Sequence, residues 1–413
     1  MVACVIVCLL TCICMIFGIL FFPKIRVGKF SISSYWFITL IGAIIVVLIS
    51  GVDISFIFNS LTADTSINPI KILILFISMT ILSVFLDELG FFKYLANKTL
   101  SKARTSQVKL FIYLYLTVSI LTIFTSNDII ILSFTPFICY FAKNAKIDPI
   151  PYLVAEFVGA NTWSMALVIG NPTNIYLATA YNVDFISYLK VMALPTILTG
   201  LTSFFILFLV YRKKLSVKIS GLPEKVELKD KFRLGVGISH LAVCTILLAI
   251  SSYIGLEMYI VAIVAMISLI IFIFCICLKR KERPIILIRT LKRAPWELIP
   301  FVISMFIMII VLDYKGVLGG IHTFLGGKNI PVVYGFASFL TANLINNIPM
   351  SVLFGSIISP MGINQIQAVY ATIIGSNLGA CLTPIGALAG IMWTNILGKH
   401  GYKWSYLSFL KMG

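Results

Sequence analysis

Residues 155–174 have the sequence AEFVGANTWSMALVIGNPTN, an apolar run that is interrupted where a helix should continue. Pro172 lacks the backbone N–H that a helix needs, and it disfavours the helical conformation at Asn171. The break frees carbonyl and N–H groups, which in lipid must face the protein interior or a water-filled cavity. Asn171, Thr173 and Asn174 add neutral polar groups at the same place. The stretch predicts a broken helix with a polar site, or else a proline kink whose gap is filled by a threonine or by water.

The composition of the whole chain indicates a membrane environment. Hydrophobic residues make up 60% of the 413 residues and charged residues only 11%, whereas a soluble domain carries about 25% charged residues. Because such a chain cannot cover a water-facing surface, we predict an all-α polytopic membrane protein in contact with the lipid bilayer. The composition excludes a soluble enzyme, a disordered protein and a nucleic-acid binder.

The nine cysteines lie in apolar runs and form neither a disulfide framework nor a zinc-ligand pattern. Cys4, Cys8 and Cys12 recur every four residues, which indicates a packed helical face more readily than a soft-metal site. The chain also lacks a glycine-rich phosphate loop and a His-Glu-x-x-His zinc motif. We therefore predict no catalytic residues, no metal and no cofactor, and we do not expect an enzyme.

The interrupted stretch has a counterpart near the end of the chain, where residues 371–390 read ATIIGSNLGACLTPIGALAG. Four residues recur at a fixed offset of 216 positions, in the pairs Gly159 and Gly375, Asn161 and Asn377, Ile169 and Ile385, and Gly170 and Gly386. Such internal similarity predicts two structurally related halves. We place the first half at residues 1–212 and the second at 234–413, joined by a basic linker over 213–233.

Each predicted half contains two irregular apolar runs besides its plain spans. They are the hairpin runs 108–143 and 331–360 and the broken-helix runs 151–180 and 364–398. The hairpin runs carry Ser126-Asn127-Asp128 and Asn346-Asn347 near their middles, a pattern typical of re-entrant hairpins that enter and leave the membrane on one side. The predicted fold is therefore two repeats, each with about five transmembrane helices, one re-entrant hairpin and a helix broken near the midplane.

The distribution of Lys and Arg among the loops predicts the orientation of the chain. Basic residues collect around 93–109, 212–233 and 279–293, whereas the loop 178–190 is nearly uncharged. Because cytoplasmic loops carry an excess of Lys and Arg, we expect the basic loops inside the cell and the N-terminus outside. The two hairpins then open from opposite faces, which makes the repeats inverted. The repeat also predicts one further helix after residue 413.

Asp128 is the clearest candidate for a functional residue, since it lies between two apolar segments of the first hairpin run. An ionisable group at the bilayer centre costs about 2.5–3.5 kcal/mol on insertion scales. One interpretation is that the carboxyl only caps the second helix of the hairpin. Because a serine or an asparagine would provide that cap at a lower desolvation cost, the carboxylate favours a proton or cation site, with Asp128 as the proton-coupling residue.

Neutral polar residues near the predicted breaks complete the candidate site for substrate and ions. Its members are Ser126, Asn127, Asp128, Asn161, Gly170, Asn171, Thr173, Asn174, Asn346, Asn347, Ser376, Asn377, Thr383 and Gly386. Broken helices at matching positions of two halves point to a transporter binding site, although an asparagine pair also serves as interhelical glue. Asp87 and Glu88 rank lower because they end a span. Glu156, one turn before Gly159, could reach either the cavity or an interface.

Two groups of motifs carry a family resemblance. Residues 86–92 (LDELGFF), followed by Asn127-Asp128, resemble the first half of the bacterial arsenite permeases. Residues 375–379 (GSNLG) and 383–389 (TPIGALA) resemble the second half of those proteins. The likeness covers most of the chain from about residue 71. The wider ion transporter superfamily, with its sodium–dicarboxylate cotransporters and sodium/proton antiporters, shares the plan of two hairpins.

The resemblance implies a secondary transporter with scaffold and transport parts, a homodimer, an elevator-like motion, and export of arsenite or antimonite coupled to protons or to a soluble ATPase partner. An uncharged oxyacid such as arsenite suits a site of Asn, Thr and backbone dipoles with one proton-carrying carboxylate. An ionised Asp128 would repel a dicarboxylate by several kcal/mol in a dry cavity unless a cation intervened. The dicarboxylate relatives carry a neutral Thr where this chain has Asp128.

The function predicted from these arguments is proton-coupled efflux of arsenite-like metalloid oxyacids by alternating access. One alternative is a sodium-coupled anion symporter or a sodium/proton antiporter, in which Asn127 and Asp128 hold sodium. A second alternative is a membrane scaffold or receptor that transports nothing, and the paired broken helices argue against it.

Overall fold

Most apolar runs of the sequence are helical in the computed structural model of the chain, which describes all residues except 28–29, 64–67, 104–105, 218, 220–226, 229, 327–328, 403, 405 and 413. The elements up to the linker are α1 (Val2–Phe21), β1 (Lys24–Val27), β2 (Phe30–Ser33), α2 (Ser34–Ser50), α3 (Ile54–Thr62), α4 (Pro69–Glu88), α5 (Phe91–Ala103), α6 (Gln107–Phe124), α7 (Asn127–Ala145), α8 (Ile150–Trp163), α9 (Pro172–Ala180) and α10 (Phe185–Tyr211).

The elements that follow the linker are also helical. They are α11 (Lys231–Ile250), α12 (Met258–Lys279), α13 (Ile285–Arg293), α14 (Leu298–Tyr314), α15 (Val317–Leu325), α16 (Ile330–Ile345), α17 (Asn347–Ile358), α18 (Gln365–Gly379), α19 (Leu388–Lys399) and α20 (Tyr406–Met412). Short 3-10 segments cover Ser164–Ala166, Val168–Gly170, Lys214–Ser216 and Ser359–Asn364. Of the predicted basic linker, Lys218, Lys225 and Lys229 lie outside the described residues.

The predicted class, an all-α polytopic membrane protein, is confirmed. Within the described residues, seven helical stretches are long and apolar enough to cross a bilayer, which needs about 20 apolar residues. They are Val2–Ile19, Pro69–Glu88, Gln107–Phe124, Phe185–Tyr211, Lys231–Ile250, Met258–Lys279 and Ile285–Tyr314. Two shorter apolar helices are α2 and α16.

The chain leaves the helical conformation at the predicted interruptions. Between α6 and α7, Ser126 is extended, with φ −146° and ψ 157°. Between α16 and α17, Asn346 has φ +75°, a conformation that side chains rarely adopt. The first broken run departs from α-helix earlier than predicted, because α8 already ends at Trp163 and two 3-10 segments precede Pro172. Whether the paired helices re-enter the membrane stays a prediction.

The described chain packs as two compact units, each assembled from three segments. The first unit contains Met1–Leu73, Pro172–Val183 and Pro295–Ile391. The second unit contains Ile74–Asn171, Asp184–Ala294 and Met392–Gly413. These units are defined by packing, whereas the predicted halves 1–212 and 234–413 are defined by sequence symmetry, so the halves stay a prediction.

In the first unit, α18 packs very closely against α16. A Cβ atom placed on Gly375 would lie 2.1 Å from the carbonyl oxygen of Gly335, so only glycine fits at this crossing. Small residues of this kind let two helix backbones approach in a membrane. The close crossing holds the segment from Ser376 onward against the end of α16, where Asn346 breaks the helix.

In the second unit, α6, α8 and α10 form the packed centre. The phenol of Tyr115 donates a hydrogen bond to the carbonyl of Gly200 (2.7 Å), and the indole of Trp163 donates to the Tyr115 oxygen (3.3 Å). Trp163 is the last residue of α8, and its ring lies where Gly200 leaves space on α10. These hydrogen bonds hold the C-terminal end of α8, after which the irregular segment before Pro172 begins.

Candidate functional site

In the second unit, the start of α7 is tied to α8 by a pair of asparagines. Asn127 Nδ2 donates to Asn161 Oδ1 (3.0 Å), and Asn161 Nδ2 donates to the carbonyl of Phe157 (2.9 Å). Ser126 caps α7 by accepting a hydrogen bond from the backbone N–H of Ile129 (3.5 Å). Asn127 is 1% exposed and Asn161 0% exposed, so these amides are satisfied by each other and by backbone.

Asp128 differs from its neighbours in its surroundings. Its backbone N–H donates to Asn127 Oδ1 (3.0 Å), and the residue as a whole is partly exposed, whereas Ile129 and Ile130 are buried. Among the residues that the structure describes, none donates a hydrogen bond to the Asp128 carboxylate or forms an ion pair with it. The proton-coupling role predicted for Asp128 stays a prediction.

Gly170 and Asn171 are placed in the irregular segment of the second unit. A Cβ atom on Gly170 would lie 2.2 Å from the carbonyl oxygen of Ser164, so the tight turn requires glycine there. Asn171 is extended and 0% exposed. Ser164 Oγ donates to the Asn161 carbonyl (2.8 Å), which connects this segment to the asparagine pair at the start of α7.

In the first unit, Asn346 and Asn347 join the break after α16 to the loop before α19. Asn346 Nδ2 donates to the carbonyl of Ile385 (2.8 Å), and the backbone N–H of Asn347 donates to the carbonyl of Gly386 (3.2 Å). Asn346 also caps α17, where its side chain accepts from Ile348. The two asparagines therefore connect two non-helical segments of backbone. The sequence had also allowed a different role, in which an asparagine pair bonds one helix to another.

Four further predicted residues of the first unit form a hydrogen-bonded group between α9 and α18. Asn377 Nδ2 donates to Asn174 Oδ1 (2.8 Å), and Ser376 Oγ donates to Thr173 Oγ1 (3.5 Å). Thr173 in turn donates to the carbonyl of Asn347 (3.2 Å). All four side chains are 0% exposed.

The two asparagines related by the 216-residue offset make matching contacts within their own units. Asn377 Nδ2 donates to the carbonyl of Ile373 four residues earlier (2.9 Å), as Asn161 does to Phe157. Each also meets the amide of another asparagine, namely Asn174 in the first unit and Asn127 in the second. The sequence offset therefore corresponds to equivalent local chemistry.

Asn343 was not predicted from the sequence, although it contacts Thr383, a predicted site residue of the first unit. Its Oδ1 accepts from Thr383 Oγ1 (2.6 Å), and its Nδ2 donates to the carbonyls of Phe339 (2.8 Å) and Gly379 (2.9 Å). A Cβ atom on Gly386 would lie 2.9 Å from that same Oδ1. An amide one turn before Asn346, in an otherwise apolar helix, was the available signal.

The acidic residues that ranked lower have definite partners in the second unit. Asp87 and Glu88 both pair with Arg293, at 2.7 Å and 2.6 Å, so they do more than end a span. Glu156 is 0% exposed and accepts a hydrogen bond from Thr135 Oγ1 (2.7 Å). Its carboxyl is thus buried against α7.

The predicted residues therefore form two groups, one within each unit. The second unit holds Ser126, Asn127, Asp128, Asn161, Gly170 and Asn171, and the first holds Thr173, Asn174, Asn346, Asn347, Ser376, Asn377, Thr383 and Gly386. Apart from Asp128, the side chains of both groups are neutral. The described residues contain no group of three or more His, Cys, Asp or Glu side chains that could hold a metal ion. That these two groups bind substrate and ions stays a prediction.

Comparison with known proteins places this architecture in a family. Residues 29–369 match the citrate transporter family, CitMHS. An arsenical pump membrane protein of Escherichia coli is 27% identical over 398 residues, which cover 90% of this chain and 88% of that protein. An arsenical pump membrane protein of Yersinia enterocolitica is 25% identical over 355 residues, covering 82% and 81%. A 46 kDa membrane protein of Mycobacterium leprae is 24% identical over 395 residues, covering 91% and 88%.

These similarities confirm the predicted resemblance to the arsenite permeases, since they extend over most of the chain. They indicate a membrane transporter with a small substrate rather than an enzyme. The apolar helices agree with a multi-pass protein. The chain is a membrane transporter and belongs to the citrate transporter family.

Proposed function

We propose that the chain is a secondary transporter that exports neutral metalloid oxyacids of the arsenite and antimonite type, driven by protons that Asp128 carries. The observation that carries the proposal is the Asp128 carboxylate, which has no hydrogen-bond or ion-pair partner among the described residues. A carboxyl group in a membrane segment is costly to maintain and is functional by default. Its partial exposure allows a proton to reach it.

The neutral character of both polar groups supports an uncharged substrate. The hydroxyls and amides of Thr173, Asn174, Ser376 and Asn377 can exchange hydrogen bonds with an oxyacid that donates and accepts through its own hydroxyls. No Lys or Arg belongs to either group, so an anion would find no cation to neutralise it. The names of the relatives, arsenical pump membrane proteins, point to the same class of solute.

A second candidate is a sodium-coupled symporter of citrate or a dicarboxylate, and the family description favours it. In this alternative, oxygen atoms of Asn127 and Asp128 hold sodium, and the cation offsets the repulsion between Asp128 and the anion. A sodium/proton antiporter would use the same two residues. Dependence of transport on sodium separates these mechanisms from the proton-driven one.

Several features of the proposed cycle rest on the resemblance and on loop charge. We propose elevator-type alternating access, a homodimer and, as a further partner, a soluble ATPase, because the resemblance to the arsenite permeases implies these features. We also propose that the basic loops face the cytoplasm and the N-terminus faces outside, because Lys and Arg accumulate on the cytoplasmic side of membrane proteins. Proton binding requires no organic cofactor.

The test is accumulation of arsenite by everted vesicles under a proton gradient, acid inside, with and without sodium. The parent protein is expected to accumulate arsenite only with the gradient, and Asp128→Asn is expected to lose the gradient-driven part. Asp148→Asn is the matched control, because it removes one carboxylate that pairs with Lys214 (2.7 Å) away from the site. It should transport like the parent.

Two results would contradict the proposal. Full accumulation by Asp128→Asn would remove the proton-carrying role. Uptake of citrate or succinate that requires sodium, with no arsenite movement under any gradient, would establish the second candidate instead.

A further inference from the structure

Several basic residues of the second unit lie between the end of α12 and the end of α13. All of them are exposed, and none forms a salt bridge with another described residue. This basic cluster consists of Lys279, Lys281, Arg283, Arg289 and Lys292. The stretch 279–293 contains one acidic residue, Glu282. The cluster therefore carries positive charge that the described part of the chain does not neutralise.

A cavity of about 480 Å³ lies beside the basic cluster, within the same unit. Ile273, Cys277 and Leu287 line it and are buried, so they form an apolar interior. Arg283 and Ile285 also line it and are exposed, so they mark its mouth. The volume is within the roughly 300–1,000 Å³ of small-molecule pockets. The cavity thus presents an apolar interior next to a cationic rim.

The acidic side chains beside the cavity are already paired with other arginines. Glu282 accepts a hydrogen bond from Arg233 Nη2, and both residues line the cavity. Asp230 Oδ2 lies 3.2 Å from Arg233 Nη1 and 4.0 Å from Arg280 Nη1. Arg233 is 9% exposed, so it anchors the start of α11 to the loop after α12. These ion pairs hold the loop in place and leave the basic cluster without a counter-charge.

The exposed face of α12 ends where the basic cluster begins. Ile267, Ile271, Phe274 and Leu278 follow one another at intervals of four, three and four residues, so they share one face of the helix. Each of them is 45–63% exposed. Because α12 is long and apolar enough to cross a bilayer, we infer that this face contacts lipid chains. Lys279 follows Leu278 directly, so the cluster begins where contact with the hydrocarbon ends and the lipid head groups are expected.

Exposed apolar side chains among the cations favour a lipid over an acidic protein as the partner. On α13, Ile285 is 50% exposed and Ile288 is 46% exposed, and both lie close in sequence to Arg289. A phospholipid provides a phosphate for the cations and hydrocarbon for the isoleucines. Clusters of four to eight Lys and Arg next to a transmembrane helix, or on an amphipathic helix, are typical of anionic lipid recognition.

We propose that the basic cluster and the cavity beside it form a binding site for an anionic phospholipid, with the head group at the cluster and a hydrocarbon chain in the cavity. The proposal is independent of the proposed transport function, since it involves no residue of the candidate substrate site. A zwitterionic phospholipid carries its own cation next to the phosphate, so it would be attracted less. The bound lipid would stabilise the packing of α11, α12 and α13.

The test compares the thermal stability of the purified full chain in detergent after addition of different lipids. The measured quantity is the temperature at which half of the protein remains monodisperse. We expect phosphatidylglycerol to raise this temperature by roughly 5 °C more than phosphatidylcholine does, at a concentration about one hundred times its Kd. Inorganic phosphate and an acidic peptide such as polyglutamate should produce no comparable rise, because they offer no hydrocarbon to the cavity.

Matched variants locate the effect in the chain. The combined substitution Lys279→Gln, Arg283→Gln and Lys292→Gln should remove the difference between the two lipids. The control replaces the same numbers of Lys and Arg elsewhere in the second unit, at three exposed positions without a described salt bridge. Its substitutions are Lys102→Gln, Arg212→Gln and Lys213→Gln, and it should behave like the parent.

A charge-preserving variant, with Lys279→Arg, Arg283→Lys and Lys292→Arg, should keep the preference for phosphatidylglycerol even if the glutamine variant fails to fold. Equal stabilisation of the parent by the two phospholipids would overturn the proposal. So would a preference that survives in a folded glutamine variant, or one that the charge-preserving variant loses. A rise with inorganic phosphate as large as that with phosphatidylglycerol would indicate a site for free anions instead, and a rise with polyglutamate alone would indicate an acidic protein partner; both results would reject a lipid site.

Discussion

Replacing Gly375 by alanine should disrupt the crossing of α16 and α18. The new Cβ atom would lie 2.1 Å from the carbonyl oxygen of Gly335 and 2.2 Å from Ser338 Oγ. The serine could rotate away, although its hydroxyl donates to that same carbonyl (3.0 Å). The carbonyl is backbone and cannot move alone. Ordinary van der Waals contact therefore requires the two helices to separate by about 1 Å, against the dense packing of protein interiors.

Overpacking of this kind costs about 1–3 kcal/mol. A change of 1 kcal/mol shifts the midpoint of thermal unfolding by about 2–4 °C in a domain of 150–250 residues. We therefore expect the temperature at which half of the purified protein remains monodisperse in detergent to fall by roughly 2–12 °C. Size-exclusion chromatography after brief heating measures this temperature.

Two other glycines provide matched comparisons. Gly159→Ala changes the residue at the equivalent position of the sequence repeat, but its Cβ would meet Tyr115 Cε2 at 3.3 Å, which a side chain can relieve by a few tenths of an ångström. Gly320→Ala, in α15, meets nothing within 4 Å, and alanine in a helix is favoured over glycine by about 0.5–1 kcal/mol. We expect the first to be nearly neutral and the second to be neutral or stabilising.

The Gly375 substitution should also reduce transport, because Ser376 and Asn377, which belong to the proposed substrate site, follow directly on α18. A displacement of about 1 Å at a binding site can cost a factor of about 10² in rate. The reasoning would be refuted if Gly375→Ala were as stable as Gly320→Ala and transported at the parent rate. It would equally be refuted if Gly159→Ala were the more damaging of the two repeat substitutions.

Three further predictions concern hydrogen bonds at other places in the structure. Substituting Asn174 and Asn377 singly by alanine should each destabilise the protein by about 1–3 kcal/mol, because each removes the 2.8 Å hydrogen bond between two buried amides; the double variant should cost less than the sum, as a thermal double-mutant cycle would show. Thr383→Val should lower the thermal midpoint through loss of a 2.6 Å bond, and an unchanged midpoint would mean that this bond contributes nothing. The backbone N–H of Ser55 donates to Asp53 (2.9 Å), which lowers the pKa of that carboxyl below its usual range. The cap therefore stabilises α3 above the ordinary carboxyl range and is lost as the pH falls through the lowered pKa; hydrogen exchange of α3 should rise there, and Asp53→Asn should remove this dependence.

Much of the fold could be predicted because its causes are local in the sequence. Apolar runs long enough to cross a bilayer become helices, since no other open structure satisfies the backbone in lipid. Pro172 and the paired asparagines at 346–347 predicted interruptions because each places helix-breaking or polar groups within an apolar run. The structure leaves the helical conformation next to both. The sequence placed the interruption of the first broken run near Pro172, but the α-helix already ends at Trp163. The earlier end depends on the fit of the Trp163 ring against Gly200 on α10.

Short elements outside the apolar runs were not predicted. The hairpin of β1 and β2 pairs residues 24–27 with 30–33, and the helices α3, α5, α13 and α15 lie between the longer ones. Such elements are too short to be stable alone, because helix nucleation is unfavourable and isolated helices below about 12–15 residues are marginal in water. They form through contacts that the sequence does not display.

By itself, the sequence determined that this protein is a polytopic membrane protein, that its long helices are interrupted near Pro172 and at Asn346-Asn347, and which polar residues lie beside those interruptions. These properties follow from hydropathy, from proline geometry and from the cost of a polar group in lipid. The tertiary structure decided the pairing of those residues. Thr173 meets Asn347 across 174 positions, and Arg293 meets Asp87 across 206. Long-range pairs of this kind depend on how helices pack in three dimensions, so neither spacing nor composition can specify them.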